Sequence, residues 1–400
     1  MGQRDKTLTK RKFVQGAGAL SIPLAWTSPR GARAQSATPL LIGVLNTFSR
    51  AFSPYGEATL NGLNLYLEQN RWTMAGRKTE IIREDDEQTP QAGLQKLRKL
   101  IESDKVDIIC GPLASNVALA MVDYMRQSKC LWFVTGAGVT ELTWTRLPYM
   151  FRSTLSNWQV ANPMGGWAYD NVARAAVLTG SDFATGRDTV AAFKASFTAK
   201  GGKVLKEIFP PLGTTDFSAY LADIRGISPP ATYNFYGGTD SVRFVKQYAE
   251  YGLKSKSRLI GYNSLLDNDT FPGQGSAALD GLSSSIYCDT LDTPANNAFV
   301  ESYRAKFKAY PSNFSESGYT TALIIDRALQ TVGGDVTRKD EIADATLKLQ
   351  ITAARGPIRF NPRTHQLVQN VYVRKVVRLG NRIANVPIVT IPEVQDPEPT

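Results

Sequence analysis

The segment Gly111-Pro112-Leu113-Ala114-Ser115-Asn116 puts a hydroxyl and an amide side by side, just past the apolar run Val106–Cys110. The run predicts a buried strand and the residues after it a helix start. In open α/β sheets, the crevice beyond the strands' carboxyl ends is where small ligands bind. Unpaired N–H groups at a helix N-terminus favour an anionic group there. These residue types can hold a ligand but contain no nucleophile–base pair. Catalysis has no constellation elsewhere. The sole histidine, His365, lies in Asn361-Pro362-Arg363-Thr364-His365, which reads as a solvated turn. Any Ser-His-Asp or Cys-His mechanism would rest on it alone. No Cys/His cluster has zinc spacing, and no phosphate-binding G-x-x-x-x-G-K-[ST] sequence occurs. Gly273-Gln274-Gly275-Ser276-Ala277-Ala278 follows no clear strand and reads as a loop. Gly136-Ala137-Gly138-Val139-Thr140-Glu141 follows a strand but ends in Glu. Asp85 and Asp86 predict turn and cap chemistry rather than metal binding. No cofactor and no metal is expected.

The elements that must position these residues alternate. Leu40–Leu45, Glu80–Ile82, Val106–Cys110 and Leu131–Val134 read as strands. Helical spacing covers 57–70, 91–101 and 116–126. This repeated βα pattern implies a parallel sheet with right-handed crossovers. It breaks at Gly136–Gly138, Pro148 and Arg152-Ser153-Thr154, and resumes from Ala175. The second series places strands at Ala175–Thr179, Val204–Phe209, Ala231–Tyr236 and Arg258–Tyr262, with helices near 186–199, 216–225 and 240–251. Two such series predict two similar lobes. Leu282–Tyr287 reads as a strand near a return crossing, 296–309 and 317–332 as long helices, and Ile358–Phe360 and Val368–Leu379 as strands. The end, 391–400, is Pro- and acid-rich and predicts a disordered tail.

The 400 residues are enough for two ordinary domains, and 42% apolar with 20% charged is a globular composition. The net charge of +10 is concentrated at the start. Seven Lys/Arg and one acid fall within residues 1–34, which leaves +4 for the remainder. That balance gives no case for nucleic acid. Thr9-Lys10-Arg11-Lys12-Phe13, a mild apolar run to Trp26 and Ala32-Arg33-Ala34 read as an export signal cleaved near Ala34. The basic motif resembles the twin-arginine signal with Lys10 in place of the first arginine, so the twin-arginine and general routes both stay open. The apolar run falls short of the ~20 residues a bilayer span needs. Cys110, Cys130 and Cys288 read as buried thiols, with a Cys110–Cys130 pair conceivable.

Several segments in order resemble the periplasmic solute-binding proteins of the leucine/isoleucine/valine type, which serve ABC importers. They are Ile42-Gly43-Val44 with Tyr55-Gly56 and Asn61-Gly62; Asp85-Asp86 through Gly111-Pro112 and Ser115; Thr135–Gly138 through Phe151-Arg152; Phe183–Gly186; and Phe299, Tyr303, Phe307, Tyr310-Pro311 and Tyr319. The resemblance implies the type I periplasmic binding fold, two doubly wound parallel-sheet α/β lobes joined by a three-segment hinge. Lobe 1 would be 38–151 plus 290–353, and lobe 2 would be 152–289 plus 354–390. It implies a monomer in the periplasm that hands a small organic ligand to an inner-membrane ABC permease.

Residue by residue, the resemblance puts ligand contacts on Tyr55, Ser115, Asn116, Gly136, Ala137, Gly138, Phe183, Tyr236 and Asn263. Two departures matter. Gly138 stands where the family usually has Ser or Thr. Asn263 falls near the acid that pairs with an amino acid's ammonium. A buried ammonium without a carboxylate is disfavoured by several kcal/mol, unless Asp267 supplies the charge in a shifted register. Tyr55, Phe183, Tyr236, Tyr262 and Trp158 would make the cleft partly aromatic. The expected ligand is therefore an aromatic carboxylate rather than a plain amino acid, with branched-chain amino acids, amides or urea as alternatives. A sensor role on the same fold stays open, and an exported enzyme is disfavoured.

Overall fold

The computed structural model of the protein describes residues 38–397. The expected export signal and the last three residues of the expected tail lie outside the described residues. The chain alternates strands and helices through two series. The first contributes strands β1 (Leu40–Asn46), β2 (Thr73–Met74), β3 (Arg77–Asp85), β4 (Ile108–Cys110), β5 (Leu131–Val134) and β6 (Met150–Arg152). They form a six-stranded sheet in the order β2-β3-β1-β4-β5-β6, parallel apart from the short β2. The second series contributes β7 (Ala175–Gly180), β8 (Lys203–Ile208), β9 (Ala231–Phe235), β10 (Arg258–Gly261) and β11 (Leu282–Ser285). The chain closes with β12 (Gln350–Ala353), β13 (Gly356–Phe360), β14 (Leu367–Leu379) and β15 (Arg382–Val394). These nine form one sheet, β12-β13-β14-β11-β10-β9-β7-β8, with β15 on β14. Its β11-β10-β9-β7-β8 portion is parallel, and β14 meets β11 antiparallel.

In each sheet the strand order reverses beside the first strand of its series: β1 lies between β3 and β4, and β7 between β8 and β9. Loops leaving neighbouring strands diverge there, which opens a crevice beyond the carboxyl ends. β1, with sequence LLIGVLN, is buried on both faces, as a strand covered by helices on each side must be. One face packs Ile42, Val44 and Phe133 against the helices Ser53–Gln69, Asn313–Gln330 and Lys339–Lys348. The other packs Leu45, Ile109, Trp132 and Val134 against Pro90–Arg98 and Ser115–Ser128. The second sheet is enclosed in the same manner. The helices Ser53–Gln69 and Asn313–Gln330 touch backbone to backbone. A Cβ on Gly62 would lie 1.9 Å from the Ser315 carbonyl oxygen, and one on Gly318 would lie 2.0 Å from that of Thr59. Two glycines thus bring Tyr55 beside Phe314 despite their distance in sequence.

Several expectations need correction. Residues 391–394 complete β15, and Asp396 beyond them is buried, so the described part of the tail is ordered. Asp396 lies 3.9 Å from buried Arg152, accepts the Thr143 hydroxyl at 2.6 Å, and bonds Ser156. β12 falls in 290–353, the range expected for lobe 1, yet pairs with β13 in the second sheet. His365 is only partly exposed. Its ring stacks on Phe151, and its Nδ1 lies 3.1 Å from the Met150 carbonyl oxygen. The helix Asn157–Asn171 forms where the sequence reads as a break, because Pro163, Gly165 and Gly166 interrupt the helical pattern. Gly165 serves packing: a Cβ there would sit 2.2 Å from the Phe193 carbonyl oxygen on the neighbouring helix Ala184–Ala199. The three cysteines, by contrast, are the buried free thiols expected of them. Among the described residues, no helix is long and apolar enough to cross a membrane.

Candidate functional site

Between the strand ends of the two sheets lies a narrow cavity. The first series lines it with Phe52, Tyr55, Leu113 and Gly136. Thr154, Leu155, Asn157, Thr185, Phe235, Gly237, Tyr262, Asn263 and Ser264 follow, and Asn313 and Phe314 complete it. Five of these side chains are aromatic, and none of the lining residues carries a charge. The polar lining consists of amides, hydroxyls and backbone.

Tyr55 is the hub. Its ring stacks on Phe314 with centroids 4.1 Å apart. Its hydroxyl accepts the Gly238 N–H at 2.6 Å and donates to the Ser264 carbonyl at 2.7 Å. Both partners follow strands of the second sheet, so the phenol joins the lobes. Gly238, at φ +55°, is pressed so close that a Cβ would fall 1.7 Å from the Ala51 carbonyl oxygen. A second tie runs through Asp188, whose Oδ2 accepts the N–H and hydroxyl of Thr140 and the Asn157 amide at 2.9, 3.1 and 2.8 Å. Burial raises the Asp188 carboxyl above its usual range, partly offset by these donors. Tyr55→Phe would leave a buried N–H and a buried carbonyl unpaired in this closed arrangement, at about 1–3 kcal/mol. The expected outcome is a roughly 10- to 100-fold weaker ligand affinity and a larger radius of gyration for the ligand-bound protein. Calorimetry and small-angle scattering check it.

Of the expected site residues, Tyr55, Gly136 and Asn263 reach the cavity. Phe183 stands behind its wall, with ring centroids 6.0 Å from Phe52 and 5.8 Å from Phe235. Ser115 is turned inward: its Oγ accepts the Val139 N–H at 3.2 Å and steadies the 136–139 turn. Asn116 reaches the Gln88 carbonyl at 3.5 Å. The Ala137 N–H is taken by the Pro112 carbonyl at 3.0 Å. A side chain at Gly138 would meet Asn157 Oδ1 at 2.3 Å, so Asn157 fills the space of the missing hydroxyl. Tyr236 is a correction. It points into the second lobe's core, bonded to Thr179 at 2.5 Å and stacked on Phe244. The preceding Phe235 faces the cavity instead, because neighbouring strand residues point to opposite sides. Trp158 packs in the second core. Asp85 and Asp86 hold their turn, accepting the Phe48 N–H at 2.9 Å and the Thr47 hydroxyl at 2.7 Å.

Asn263 is 1% exposed, and neither its Nδ2 nor its Oδ1 has a hydrogen-bond partner. Its backbone is fixed from below by the buried Arg374, which donates to the carbonyls of Tyr287, Leu266 and Asn263 at 2.9, 3.0 and 3.4 Å. Asp267 does not supply a charge to the cavity. It lies 3.7 Å from Arg374 and accepts the Asn313 N–H at 3.3 Å. Asn313 opens its helix behind the Ser312 cap. Neither sequence periodicity nor any motif singles out Asn313 or Phe314. Nearby, burial and then the neighbouring Asp267 push the Asp269 carboxyl up to about 8, and its Oδ2 is buried without a partner. A raised carboxyl favours the fold while protonated. Its contribution is full below about pH 4 and is lost as pH rises through about 8. Asn in its place should flatten that decline and raise stability at pH 9 by roughly 1–3 kcal/mol, read from urea unfolding across pH.

Residues 39–381 match the family model described as periplasmic binding protein. The chain is 27% identical over 355 residues to the Leu/Ile/Val-binding protein homolog 6 of Brucella melitensis, covering 87% of this chain and 90% of that one. Two solved structures superpose closely. A solute-binding protein of an ABC transporter from R. palustris, in complex with benzoate, is 31% identical at a TM-score of 0.83, covering 88% of this chain and 96% of that one. Another from Rhodopseudomonas palustris BisB5, in complex with 3,4-dihydroxybenzoic acid, is 30% identical at 0.85, covering 90% and 99%. With two parallel-sheet lobes closed on a cavity and a match over most of its length, the chain belongs to the periplasmic binding protein family, the substrate-binding proteins of ABC transporters.

Proposed function

We propose that this protein captures a small aromatic carboxylate between its lobes and delivers it to an inner-membrane ABC permease. The observation that carries the reading is the composition of the cavity wall. Phe52, Tyr55, Phe235, Tyr262 and Phe314 offer ring faces, and no acidic side chain lines the wall. Aromatic rings bury large areas and stack with a ligand ring, while an α-amino acid would bring an ammonium with no carboxylate to receive it. Similar solved structures hold benzoate and 3,4-dihydroxybenzoic acid, which favours the same ligand class here. The ligand acts by bridging the lobes, so the closed arrangement gains whatever free energy the second lobe's contacts add. A Kd near 1 μM corresponds to about −8 kcal/mol.

The name of the Brucella relative favours a second reading, a branched-chain amino acid. A thermal-shift screen separates the two. Benzoates should raise the melting temperature by several degrees, and leucine, isoleucine and valine should leave it in place. Stabilisation by the amino acids alone would overturn the proposal.

A further inference from the structure

The cavity holds two buried asparagines whose hydrogen-bonding groups are left over after the protein's own bonds are made. Asn263 has both amide atoms free, and Asn313, fully buried, has its Nδ2 free. The Ser285 Oγ accepts the Tyr287 N–H at 3.3 Å and donates to Asn313 Oδ1 at 3.2 Å, and in this arrangement Asn313 Nδ2 is the free group. Both asparagines line the same cavity as Tyr55, and each is the chain neighbour of a Tyr55 partner: the phenol bonds the Ser264 carbonyl and its ring stacks on Phe314. They also come from different parts of the fold, one from the loop after β10 and one from the start of the helix Asn313–Gln330.

Buried donors and acceptors left unpaired are costly, so the leftover set describes what must meet it. A carboxylate can accept from the two Nδ2 groups but would set its charge against Asn263 Oδ1, an acceptor. A hydroxyl fits both kinds of group, donating to Asn263 Oδ1 while accepting from Asn313 Nδ2. We infer that Asn263 and Asn313 form a subsite for a neutral ligand hydroxyl, so that the preferred ligand is a hydroxylated acid whose carboxylate lies elsewhere in the cavity. The choice of hydroxybenzoates within that class rests on the aromatic reading above; the hydroxyl subsite does not.

The test is calorimetric titration of the purified protein with matched pairs of acids. One pair is 4-hydroxybenzoate and benzoate, with 4-methoxybenzoate as a ligand that accepts but cannot donate. The other is aliphatic, 2-hydroxy-4-methylpentanoate and 4-methylpentanoate. In at least one series the hydroxy acid should bind 10-fold or more tighter than its deoxy partner. If the aromatic series carries the gain, the methyl ether should lose it. In Asn263→Leu, whose ligand-free melting checks that it folds, the ratio should fall below 3-fold. A ratio below 3-fold in both series for the unaltered protein would overturn the subsite, as would a ratio undiminished in Asn263→Leu. A gain confined to the aliphatic pair would keep the subsite and refute the aromatic reading. Tight binding of all three benzoates alike would do the reverse.

Discussion

Asn263→Asp should weaken binding of an aromatic carboxylate by two or more orders of magnitude. The position is 1% exposed and its side chain has no internal hydrogen-bond partner. A ligand carboxylate held across the ring, about 8 Å from the new charge, is repelled by about 2 kcal/mol at an effective dielectric constant near 20. The introduced carboxylate would also lose hydration that nothing in the wall replaces. Lowering the pH protonates it, so affinity should recover toward that of the unaltered protein in acid, which a merely misfolded variant would not do. The same change supplies the acid that an ammonium needs, and leucine should gain affinity as the aromatic acid loses it. Calorimetry at two pH values reads both effects. An aromatic acid bound equally well by the variant would mean that its contacts lie away from Asn263.

Arg374→Met should cost about 3–5 kcal/mol of stability, the usual result of stripping one partner from a buried ion pair. Arg374 is fully buried on β14, and its guanidinium meets Asp267 at 3.7 Å, the Ser283 hydroxyl at 3.1 Å, and the carbonyls of Tyr287, Leu266 and Asn263. Met replaces the stem and strands all of those acceptors at once. Adding Asp267→Asn should return part of the loss, since the stranded carboxylate is then neutral, and the two changes should be non-additive in a double-mutant cycle. Urea unfolding midpoints of the four proteins test this. Because Arg374 also holds the backbone that presents Asn263, the single variant should lose ligand affinity even where it remains folded.

The sequence carried the βα alternation well, because strands such as LLIGVLN and LWFV are continuous apolar runs and most helices have clean spacing. It failed where local signals oppose the fold. Pro163 and the Gly165-Gly166 pair hide a helix that tertiary packing imposes. Prolines and acids near the end hide a strand that pairs with β14 and a buried anchor at Asp396. The site was legible in part for a similar reason. Tyr55, Gly136 and Asn263 lie next to predicted strand or helix ends. Phe235 and Tyr236 differ by a single position in a strand, which is enough to exchange cleft for core. Asn313 and Phe314 reach the cavity only because Gly62 and Gly318 let two helices touch. Ser115 has the residue type of a ligand contact, but its hydroxyl is used within its own lobe.

The most direct measurement is a calorimetric titration of the protein, freed of any carried-over ligand by unfolding and refolding, with 4-hydroxybenzoate and with leucine. Micromolar or tighter binding of the aromatic acid at one site per chain, with leucine at least 100-fold weaker, is the predicted result. Leucine bound tightly and 4-hydroxybenzoate not at all would contradict it.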